Sequence, residues 1–118
     1  MVTTTDLEIT EDENEEDTLV RLRGRLTIDS SPAFRDRLLA TLRRQSPAVI
    51  VDLTEVSYMD ASGVATLVEG LKTARNRQTT FCLKGLQGRV RHLFEFTGLL
   101  TLFETSGRRS ASSDAKVS

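Results

Sequence analysis

The run Ala48-Val49-Ile50-Val51-Asp52-Leu53 constrains this chain more than any other stretch. It is nearly continuous in apolar residues and rich in β-branched ones, the signature of a strand covered on both faces. Such a strand predicts a partly parallel sheet with helices above and below it. The flanks agree. Phe34, Leu38, Leu39 and Leu42 recur at helical spacing before it, and Val64, Leu67, Val68 and Leu71 do so after it. A buried strand between two amphipathic helices points to the α/β class.

The remaining elements follow from local signals. Ser30-Ser31-Pro32 opens the first helix, with a serine hydroxyl expected to cap a free amide and proline at the first helical position. Arg43 and Arg44 suit the negative end of its dipole, and Pro47 stops it. Upstream, Leu7-Glu8-Ile9 and Leu19-Val20-Arg21-Leu22-Arg23 alternate apolar and polar residues, as half-buried strands do. Between them the acidic run Glu11 to Asp17 repels itself and reads as an exposed loop, which makes a long-looped hairpin. Gly24 loosens the second strand before Leu26. Thr79 to Leu83 reads as a further short strand, and Val90, Leu93 and Phe94 mark a third helix that Gly98 ends in a left-handed cap. Leu99 to Phe103 reads as a last edge strand. The expected order is β-β-α-β-α-β-α-β over residues 6–105. Residues 1–5 and 106–118 are expected to be disordered, the latter because Ser, Arg, Gly, Ala and Lys cannot bury enough to offset their ordering entropy.

Several function classes are excluded. The chain has 118 residues, enough for one core, and a formal net charge of −1 that attracts neither nucleic acid nor anionic membrane. No apolar run approaches the roughly 20 residues a membrane helix needs. Met1 to Asp6 is polar, and it is not expected to act as a secretory signal. Cys82, the only cysteine, lies within Phe81-Cys82-Leu83 and reads as a small buried hydrophobe. A cytoplasmic location is the expectation. His92 is the only histidine and makes no metal site with that distant cysteine. No phosphate-binding loop motif is present, and no nucleophile has a base partner at recognisable spacing, so neither cofactor nor catalysis is expected. Gly85-Leu86-Gln87-Gly88, flanked by Lys84 and Arg89, superficially matches an RNA-clamping loop. That loop joins two helices, whereas this one follows a strand.

The informative segment is Ser57-Tyr58-Met59-Asp60-Ala61-Ser62-Gly63, which carries the buried strand into the second helix. In parallel sheets, function gathers at the carboxyl ends of strands, where helix N-termini present free amides. Asp60 can accept bonds from those amides, Ser62 sets a hydroxyl beside the positive end of the dipole, and Gly63 lets a partner approach closely. Taken alone, these residues also fit an ordinary helix cap.

The wider context resembles a known family. Val49 to Leu53, followed by Val56-Ser57-Tyr58-Met59-Asp60-Ala61-Ser62-Gly63-Val64, is similar to the central motif of STAS domains, the family of bacterial anti-anti-sigma factors. Leu86 to Leu100 is similar to the family's third helix, and Gly24-Arg25-Leu26 with Ser31-Pro32-Ala33-Phe34 to its turn into the first helix. The resemblance covers roughly residues 6–104. It implies a STAS fold, a mixed, mostly parallel sheet with an N-terminal hairpin and helices packed against it.

The resemblance also implies an anti-sigma factor antagonist that docks on an anti-sigma factor of serine-kinase fold. The implied surface is Met59, Asp60, Ala61, Ser62 and Gly63, with Glu69, Lys72 and Thr73 on the second helix. Two departures stand out. The serine that family members phosphorylate is Ala61 here, which leaves Ser62 as the candidate phosphosite, and an acidic residue of the first turn is Thr27. The family's fourth helix is expected to be missing, because Ser106 to Ser110 does not supply one. The alternative within the same family is a STAS subunit of an ABC-type lipid transporter, bound to its cytoplasmic ATPase. Neither reading involves nucleic acid or membrane insertion, and both leave homodimerisation open.

Overall fold

The computed structural model describes residues 2–3 and 6–107. Its elements are β1 (Val2–Thr3), β2 (Leu7–Glu13), β3 (Thr18–Leu26), α1 (Ser31–Arg43), β4 (Ala48–Met59), α2 (Ala61–Asn76), β5 (Thr80–Lys84), α3 (Gly88–Thr97) and α4 (Leu99–Gly107). The strands form one five-stranded mixed sheet in sequence order. The hairpin side is antiparallel, and β3, β4 and β5 run parallel. Val2–Thr3 pairs with β2, although disorder was expected at residues 1–5; Met1, Thr4 and Thr5 lie outside the described residues.

The strand order decides where the helices lie, and it corrects one expectation. Right-handed crossovers place helices on opposite faces only where strand order reverses. Here it never reverses, so the helices share one face. Burial alternates accordingly: Leu7 and Ile9, Val20 and Leu22, Val49, Val51 and Leu53, and Phe81 and Leu83 are buried under the helices. Of the intervening residues, Arg21, Arg23, Ile50, Cys82 and Lys84 are exposed or half-buried, while Asp52 is buried beside its polar partners. β4 is therefore covered on one face rather than both, and Cys82 is half-buried rather than buried. The open face is polar: Arg21 reaches Asp52 at 3.4 Å, and Arg23 lies between Glu8 and Glu55.

Leu99 to Phe103 is the first turn and a half of α4, not an edge strand. Gly98 takes the expected left-handed conformation (φ 78°) and turns α3 directly into it. As a helix the segment drives Phe103 into the core, edge-on to Phe94 at 5.6 Å and 6.3 Å from Phe81. The fourth helix is present. It runs to Gly107, past the boundary expected at Thr105, and residues 108–118 of the expected tail lie outside the described residues.

The acidic run is also not a single loop. β2 continues through Glu13, and Asn14 closes a tight turn by accepting from the amides of Glu16 (2.8 Å) and Asp17 (2.9 Å). Strand alternation puts Glu11 on the same face as Leu7 and Ile9. There its carboxylate is bound by Arg37 and Arg44 of α1 and by the Thr41 hydroxyl, with only 9% of the side chain exposed. Burial alone would raise its pKa. Hydrogen bonds from Thr41, Arg44 and Arg37, with the Arg37 charge, outweigh burial and hold it below the usual carboxylate range.

A carboxyl with a depressed folded-state pKa adds stability above its unfolded pKa, and that stability is lost as pH falls through the folded value. Glu11→Gln should therefore cost about 1–2 kcal/mol at neutral pH, with both arginines still able to reach water. The gap from wild type should close as pH drops below the unfolded value of 4.5. Denaturant titrations at neutral and acidic pH check this, and a gap that does not change with pH would contradict it.

Candidate docking site

Parallel β3 and β4 end on the same edge of the sheet, so the turns into α1 and α2 meet there. The β3–α1 turn is braced from within. Ser30 Oγ accepts from the Thr27 amide (2.9 Å) and donates to the Arg25 carbonyl (2.8 Å). The hydroxyl thus makes no helix cap, contrary to expectation, and Pro32 is the second residue of α1, where its missing amide still costs nothing.

Asp60 joins the two turns. Its Oδ1 accepts from the amides of Ser62 (2.9 Å) and Gly63 (3.3 Å), the cap that the sequence predicts for α2. Its Oδ2 accepts from the Ile28 amide at 3.0 Å, across to the other turn. Its own amide donates to the Leu26 carbonyl at 3.1 Å. The carboxylate is therefore occupied inside the protein. It works as a fastener that fixes the start of α2 against the β3–α1 turn.

The first turn of α2 sends its side chains in different directions. Ala61 is exposed and lines a groove of about 510 Å³ with Val64, Val68, Leu93 and Leu99, between α2 and the α3–α4 pair. Ser62 is half-buried and lines a separate groove of about 340 Å³ with Ile28, Pro32 and Arg35, between α1 and α2. Gly63 points inward. A Cβ there would lie 2.7 Å from Met59 Cγ and 2.8 Å from Leu26 Cγ, so glycine serves helix-on-sheet packing and not the approach of a partner. Met59 is buried beneath it, at 6% exposure. Gly63, the third residue of α2, therefore packs inward on Met59 and Leu26 rather than facing a partner, contrary to expectation, and covers most of Met59.

On the outer side of α2, Lys72 is exposed and Glu69 and Thr73 are half-buried. Glu69 accepts from Nε and Nη2 of Arg35 at 2.8 and 2.7 Å, and this bond, opposed by burial and aided by the Arg35 charge, holds its carboxyl below the usual range. Sequence reasoning missed three apolar residues at this end of the molecule: Ile28, Tyr58 and Phe96, with 69%, 41% and 92% exposure. The Arg25 guanidinium stacks over the Tyr58 ring at 5.3 Å. Phe96 was detectable, because it falls off the apolar face that Val90, Leu93 and Phe94 define on α3.

A family model described as "Mlab, STAS domain" matches residues 9–104. This chain belongs to the STAS-domain family. Among its relatives, the anti-sigma-B factor antagonist of Listeria monocytogenes is 36% identical over 81 residues, covering 69% of this chain and 71% of that protein. That of Bacillus subtilis is 30% identical over 96 residues, covering 81% and 87%. The crystal structure of an anti-sigma factor antagonist from Mycobacterium paratuberculosis superposes with a TM-score of 0.77 at 18% identity, covering 86% of this chain and 87% of that one. The fold is shared across that distance. Among the described residues, no helix is long and apolar enough to cross a membrane, and no group of His, Cys, Asp and Glu could hold a metal ion.

Proposed function

We propose that this STAS-domain protein is a cytoplasmic anti-sigma factor antagonist that docks on a kinase-type anti-sigma factor with the start of α2, and that its phosphorylation switch is impaired. The observation that carries this reading is Ala61, exposed on a turn that Asp60 fastens and set at the edge of an apolar groove. A rigid platform of this kind loses little entropy when it is docked. The names of the relatives support the antagonist over the transporter-subunit alternative.

A methyl group at position 61 has no oxygen to accept a phosphoryl group. The neighbouring hydroxyl, Ser62, opens on the opposite groove, where Arg35 is already engaged by Glu69 and Asp36 adds negative charge. A kinase site aligned on Ala61 would thus not be in line with Ser62, and phosphoryl transfer depends strongly on alignment. Ala61 with the outer side of α2 (Lys72, Thr73) forms the partner surface, and Asp60 and Gly63 support it from within.

The test is displacement. Wild-type protein should release a fluorescently labelled sigma factor from the kinase-fold anti-sigma factor of the same genome at near-stoichiometric addition. Failure to release sigma from any such anti-sigma factor would refute the proposal.

A further inference from the structure

A third groove opens beside the Ala61 groove, with Leu93 lining both. It measures about 400 Å³ and lies between the end of β4 and α3, lined by Tyr58, Met59, Arg89, His92, Leu93 and Phe96. Its rim is basic: Arg25 stacks on Tyr58, and Arg89 and His92 project from α3. Among the described residues none of these three has a carboxylate within salt-bridge distance, whereas Arg21, Arg23, Arg35, Arg37, Arg44 and Arg91 each do. The only carboxylate on α3, Glu95, is bound to Arg91 at 3.1 Å. Phe96, almost fully exposed at the mouth of the groove, contributes nothing to the core.

An aromatic edge and an apolar floor flanked by Arg25 and Arg89, neither with a carboxylate partner among the described residues, complement an acidic segment that carries an apolar side chain. We infer that this groove is a second contact for the anti-sigma factor, receiving an acidic stretch of that partner with an apolar anchor seated against Phe96 and Leu93. The inference rests on the proposed function and extends its surface from α2 onto α3. Through Leu93 the two grooves form one continuous face, so a partner centred on Ala61 reaches both without a gap. Burying Phe96 removes a large apolar surface from water, and the cations steer and orient the approaching acidic chain.

Calorimetric titration of the full chain with the purified kinase-fold anti-sigma factor of the same genome, at low and high salt, tests this. Phe96→Ala and Arg89→Glu should each weaken binding about tenfold or more. Arg89→Glu should also flatten the salt dependence. Both positions are exposed, so melting temperatures should match wild type. If both variants bind like wild type while Ala61→Asp abolishes binding, the inference falls and the proposed function stands. If wild type does not bind, both fall together. If Phe96→Ala instead turns a dimer into a monomer in sedimentation and leaves affinity unchanged, the groove joins two copies of this chain and the inference is wrong.

Discussion

Gly85→Ala should destabilise the protein by about 3 kcal/mol or more, which for a domain of this size lowers the melting temperature by roughly 12 °C or more. Gly85 ends β5 with φ 79°, a left-handed conformation that a side chain disfavours, and a Cβ there would lie 2.1 Å from Thr54 Oγ1. Turning the threonine side chain would not relieve the overlap, because Thr54 N and Cα stand at 2.7 and 2.9 Å. Thr54 is itself fixed. Its amide and hydroxyl donate to Asp52 Oδ1 at 2.9 and 2.6 Å, and its carbonyl accepts from Gln87 Nε2 at 3.0 Å. Relief would have to separate β4 from the β5–α3 turn. Gly98→Ala is the control, since Gly98 has nearly the same φ but no atom within 4 Å of its would-be Cβ. It should lose only about 1–2 kcal/mol of backbone strain. Equal losses in thermal melts of the two variants would show that crowding by Thr54 contributes nothing.

The class of fold was legible because apolar periodicity reports it directly. Phe34, Leu38 and Leu42, or Val64, Leu67 and Leu71, lie inward in the structure as their spacing requires. Two errors had different causes. Leu-Leu-Thr-Leu-Phe is too short for its period to separate strand from helix, and only the space left beside Phe81 and Phe94 selects helix. The single covered face of β4 depends on strand order, a property of the whole sheet that no local run encodes. Glu11 shows a third limit. Its charged neighbours argue for a loop, yet alternation from Leu7 and Ile9 carries it inward, to cations contributed by α1.

At the candidate docking site, the Asp60 cap was readable from residue type and place. Its bond to Ile28 was not, because that bond needs the β3–α1 turn to lie alongside. The same limit explains Gly63. A glycine at a helix start fits a close external approach or a close internal one, and only the positions of Met59 and Leu26 decide for the inside. Ala61 and Ser62 are neighbours in sequence, but the helical rotation between them sends them to different grooves.

That divergence underlies the proposal that the chain docks through the Ala61 turn on a kinase that cannot phosphorylate it there. Ala61→Ser would place a hydroxyl on the exposed position of a turn already fastened by Asp60, so it should accept phosphate readily. The new phosphate would add about −1.5 to −2 charges beside Asp60 at the edge of an apolar groove and oppose docking. Intact-mass and fragment mass spectrometry of both proteins, incubated with the kinase-fold anti-sigma factor and ATP, measures this most directly. The introduced serine should carry stoichiometric phosphate and release the kinase, whereas wild type should stay in a lasting, unmodified complex. Stoichiometric phosphate on wild-type Ser62, or failure of Ala61→Ser to accept any, would contradict it.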